Sequence, residues 1–151
     1  MSELEILTRI DRVLALLPNS RRGAFDAQDY LRAAERLLAM YETLDQDDEL
    51  VELLIELLLQ SYEELNEQMQ LMIAEKDYEA ICAAARDFKS SVRSAVSESS
   101  LDVISALESA ASSSDYMAVN SSWLALHRRL YPLMFLFRRY HRSLAESRFV
   151  D

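Results

Sequence analysis

A chain of 151 residues, half of them hydrophobic, is long enough to bury a core; with one glycine and two prolines it is too poor in breakers for tightly turned sheets, and it predicts an all-α protein. The formal net charge of −10 excludes nucleic acid and anionic membrane as partners, because both need a basic footprint. The single cysteine, Cys82, cannot form an internal disulfide and fits a reducing, cytoplasmic setting.

Residues 3–17 predict a short amphipathic helix, stopped within PNSRRG by Pro18 and Gly23. Acids in MSELEILTRIDRVL interrupt any apolar leader core. A second helix is expected from about Asp26 to Leu44, ended by DQDD. Residues 1–45 then make a helical hairpin packed on a bundle of residues 46–151.

The third helix, 48–74, carries Val51, Leu54, Leu58, Tyr62, Leu65, Met69 and Met72 on one face, and Glu52, Glu56, Gln60, Glu63 and Glu67 on another. Between residues 50 and 59 everything but the two glutamates is apolar, which predicts cover on more than one side. After the turn EKD, a fourth helix points Tyr78, Ile81, Ala85, Phe88, Val92 and Ala95 inward. Ser99 and Asp102 read as a capping box for a fifth helix with Leu101, Ile104, Leu107 and Ala111 inward, ended by SSSD.

The last helix strings Tyr116, Val119, Trp123, Leu126, Leu130, Leu133, Phe137, Tyr140 and Leu144 into one stripe. It passes through Pro132, which predicts a kink or a freed carbonyl at Arg128. The runs LVELLIELLL and YPLMFLF are too short or too charged to cross a bilayer. Four consecutive helices with short connections predict an antiparallel up-down-up-down four-helix bundle, its apolar end covered by the hairpin or by another chain.

The segment from about 48 to 145 resembles the histidine-containing phosphotransfer (HPt) family. The resemblance rests on Asp77 in the turn, on Lys89, Ser90 and Ser91 at the end of the motif, and on LESAASSSD (107–115) at the next helix–turn. It implies a bundle that exchanges phosphoryl groups with response-regulator receivers. The position of the phosphoacceptor histidine, nine residues after Asp77, is Arg86. Arginine has no imidazole nitrogen and stays protonated, so it cannot carry the phosphoryl group in that way.

Cys82, Arg86, Lys89 and Arg93 fall along one helix flank at steps of four, three and four residues, with Ser90 beside them. The resemblance makes this flank a docking face for the acidic pocket of a receiver, with Arg86 as a fixed counter-ion. The alternative is that Arg86 pairs with Glu79, with the neighbours of Cys82 or with solvent in a purely structural bundle. The function expected is therefore a non-catalytic pseudo-phosphotransfer protein that binds a receiver or a histidine kinase. A helical adaptor or structural protein, including a homodimer, is the other reading.

No catalytic site, cofactor or metal site is read from the sequence, and the chain is not expected to be an enzyme. His127 and His141 share one helix fourteen residues apart and need acidic or thiol neighbours to hold a metal. Glu63 and Glu64 read as a solvated face. Residues 42–79 hold thirteen acids against Lys76, a net of −12, whereas 121–151 carry +4. This asymmetry reads as complementarity between neighbouring helices, or as a partner-binding stripe at Arg138, Arg139 and Arg142.

Overall fold

The computed structural model describes residues 27–45, 47–93 and 95–150, together with Glu5, Thr8 and Arg12. The helix expected at 3–17 and the loop after it lie outside the described residues, apart from Glu5, Thr8 and Arg12, which are helical. Five helices follow: α1 (Ala27–Thr43), α2 (Asp48–Ala74), α3 (Tyr78–Val92), α4 (Glu98–Ser112) and α5 (Tyr116–Val150). No strand occurs among the described residues. None of the described helices is long and apolar enough to cross a membrane.

The helices end without glycine. Asp45, Lys76 and Ser114 instead take the left-handed conformation, with φ of 52°, 55° and 53°. After α2, Asp77 N–H bonds to Met72 C=O at 3.0 Å and Lys76 N–H to Ile73 C=O at 3.1 Å. After α4, Asp115 N–H and Ser114 N–H repeat the pattern on Ala110 and Ala111. These paired bonds satisfy the last carbonyls of each helix. The aspartate that closes each of these two turns then opens the next helix. Asp77 Oδ1 accepts from Ala80 N–H at 3.2 Å and Asp115 Oδ1 from Ala118 N–H at 3.1 Å. Each connection thereby shrinks to a few residues.

α4 is capped two residues earlier than its sequence predicts. Ser97, not Ser99, has extended backbone and accepts from Ser100 N–H at 3.3 Å. Ser99 is already helical and takes a hydrogen bond from Arg129. α5 runs unbroken through a buried Pro132.

The chain divides into two compact units. The first comprises Met1–Leu59 and Tyr131–Asp151, and the second Gln60–Leu130. In the first, Leu37, Met40, Val51, Ile55, Leu58, Phe137 and Leu144 form an apolar core. Each such side chain contributes roughly 1.5–3 kcal/mol on burial. Tyr41 and Tyr140 add a polar contact within it, their hydroxyls 2.6 Å apart and their rings edge to face. Burial, and then the bond to Tyr140, push the Tyr41 phenol far above its ordinary pKa, so it stays a neutral O–H group.

Cover around the apolar runs is uneven. All five residues from Leu133 to Phe137 are buried, whereas Leu50, Leu53 and Leu57 are 47%, 51% and 52% exposed. The expectation that 50–59 is covered on several sides therefore fails along one line of α2.

In the second unit, Tyr62, Leu65, Met69, Ile81, Ala85, Phe88, Val92, Ile104, Leu107, Val119 and Leu126 are buried, as their spacing predicts. Met72, Tyr78, Leu101 and Trp123, which their stripes also place inward, are only half-buried, and Tyr116 is 41% exposed, with Lys76 Nζ 4.9 Å from its ring centre.

Candidate functional site

α3 presents three surfaces, and the site lies on one of them. Ile81, Ala85, Phe88 and Val92 bury the core face. Ala84, Asp87, Phe88 and Ser91 turn toward α2, where with Ser61, Glu64, Leu65 and Gln68 they line an open cleft of about 270 Å³. The remaining flank, Cys82, Arg86 and Lys89, meets α4.

The α3–α4 contacts are antiparallel. Cys82 Sγ lies 3.4 Å from Ser112 Oγ, Arg86 Nε donates to Glu108 Oε1 at 3.1 Å, and Lys89 Nζ lies 3.4 Å from Ser105 Oγ. These partners sit fifteen, eleven and eight residues either side of Ser97, so the turn fixes their register. Lys89 Nζ also donates to Glu108 Oε2 at 3.1 Å. One carboxylate thus holds two cations, one on each oxygen.

The bonds from Lys89, and then from Arg86, hold the Glu108 carboxyl below its usual range, while Glu108 raises the Arg86 guanidinium. Glu108 is only 19% exposed, whereas the Arg86 side chain is 65% exposed. Nη2 of Arg86 points back to Cys82 Sγ at 3.9 Å. The guanidinium is therefore anchored through Nε while much of its surface faces water.

The structure brings Arg86 and Lys89 together on Glu108, with Cys82 beside the Arg86 guanidinium. Ser90 is exposed, its hydroxyl returned to Arg86 C=O at 3.3 Å, and Arg93 is exposed at the end of α3. Arg86 pairs with Glu108 and not with Glu79, because reflection about Ser97 brings 108 opposite 86. Glu108 was missed as a partner for this reason: its signal is the register of the helix pair, not a local spacing.

The histidines occupy different settings. His127 Nδ1 is 2.7 Å from the Tyr62 hydroxyl, and its ring lies near Trp123. His141 Nε2 lies 2.8 Å from Glu56 Oε1 and 3.7 Å from Glu52 Oε1. The acidic neighbours that its sequence surroundings lack are supplied by α2. Of the basic stripe, Arg138 and Arg142 are exposed, and Arg139 lies over Phe135, 5.5 Å from the ring centre.

Compared with protein-family models, with curated proteins and with solved structures, the chain matches none of them.

Proposed function

We propose that this protein is a non-catalytic, pseudo-phosphotransfer protein that docks onto a two-component signalling partner, a receiver domain or a histidine kinase, through the 82–93 flank of α3. In this reading the helices from 48 onward form an antiparallel HPt-like bundle with the N-terminal hairpin added to it. The observation that carries it is the Arg86 guanidinium, anchored by Glu108 through Nε and otherwise largely exposed at the position where the resemblance calls for the phosphoacceptor. A cation held in this way suits an acidic receiver pocket and transfers nothing. Lys89, Ser90 and Arg93 extend the surface along the same flank.

Glu108 competes with such a pocket for both cations, so docking must partly exchange one carboxylate for others. A charge-assisted contact at Arg86 is worth roughly 1.5–3 kcal/mol. Titration of receiver domains with wild type and Arg86→Glu tests this, with a loss of about tenfold or more expected. Equal affinity for both proteins would end the docking role of Arg86.

A second reading has its own observation. Leu50, Leu53 and Leu57 leave a half-exposed apolar line on α2, suited to a helical adaptor or a homodimer. That reading places the partner on α2 and predicts sensitivity at Leu53, with none at Arg86.

A further inference from the structure

We infer that Glu52, Glu56 and His141 form a binding site for one first-row divalent cation, Zn²⁺ being the best match. The site lies within the first unit and is independent of the docking flank on α3. Glu52 and Glu56 stand one helical turn apart on α2, so their carboxylates share a face. His141 reaches the same point from α5.

Each residue offers one ligand atom, and the three atoms lie within 4.8 Å of one another. The imidazole Nε2 is 2.8 Å from one carboxylate oxygen and 3.7 Å from the other. A tetrahedral zinc with bonds of about 2.0–2.1 Å separates its ligands by roughly 3.3–3.4 Å, between those two distances. The two carboxylate oxygens lie within 4.8 Å of each other, so binding requires a small side-chain adjustment, for which the exposed Glu56 has room.

The donor chemistry narrows the ion. Two carboxylates alone would suit Mg²⁺ or Ca²⁺, which prefer all-oxygen shells. An imidazole beside them favours zinc and its first-row neighbours. Charge is compatible with it: two clustered carboxylates, one of them on Glu52 at only 9% exposure, attract a divalent cation. Three protein ligands leave a fourth position for water to complete the shell. The bound ion would tie α2 to α5 inside the first unit.

Titration of the full chain with Zn²⁺, followed by calorimetry, tests the site, with Co²⁺ absorption reporting the coordination geometry. One high-affinity site per chain is expected. Its affinity should fall at least tenfold in His141→Ala and in Glu56→Gln, and persist in His127→Ala. Glu56 is exposed, so Glu56→Gln keeps the fold; its unchanged helicity, checked by circular dichroism, would tie the loss to the site. Zn²⁺ should also raise the Tm of wild type and not that of Glu56→Gln. Absence of a high-affinity site, or binding that survives both site variants, would overturn the proposal.

Discussion

At the scale of single residues, Glu108 governs the α3 flank. Its carboxylate is the common partner of Arg86 and Lys89, and both bonds lower its pKa. A lowered folded-state pKa means that its contribution to stability is complete above the ordinary glutamate range, near pH 4.3, and is lost as pH falls through the lowered value. Wild type should therefore be more stable than Glu108→Gln at neutral pH, and the gap should close in strong acid. Urea unfolding at a series of pH values measures this directly; a gap independent of pH would remove the charge from the explanation. The same variant frees both cations, so it should tighten receiver binding where Arg86→Glu weakens it. Legibility at this scale was partial. The cation row on α3 could be read from its spacing, but Glu108 became visible only through the pairing of two helices. Glu56 and His141 are 85 residues apart, and no local pattern joins them.

At the scale of elements, spacing gave the helices and their buried faces because an apolar stripe can point only one way along a regular helix. α3 shows this most clearly: Ile81, Ala85, Phe88 and Val92 are all buried. Helix ends were harder. Ser97, Ser99 and Ser100 are chemically alike as caps, and the choice falls to the residue where the chain leaves the preceding turn with extended backbone. Ser97→Ala should therefore cost about 1 kcal/mol of stability, and Ser99→Ala less, as read from urea unfolding. The reverse order would return the cap to Ser99. The left-handed residues Asp45, Lys76 and Ser114 were equally hidden, since they occupy positions that glycine fills in most chains.

At the scale of the whole molecule, the all-helical class followed from the scarcity of breakers, while the uneven cover of the apolar runs did not. Leu133 to Phe137 are buried, and Leu50, Leu53 and Leu57 stand half-exposed on α2. Two exposed surfaces, one cationic and one apolar, therefore carry the two proposed readings. On the docking reading, Leu53→Asp should leave receiver affinity within about twofold, as surface changes away from the contact usually do. Loss of partner binding in Leu53→Asp alone would favour the adaptor. The most direct measurement is a titration of the source organism's receiver domains with wild type and Arg86→Glu at two salt concentrations. Salt-sensitive binding by wild type that is lost in the variant is the result predicted. Binding that is unchanged by the substitution, or absent from wild type against every receiver, would contradict a docking role for the α3 flank.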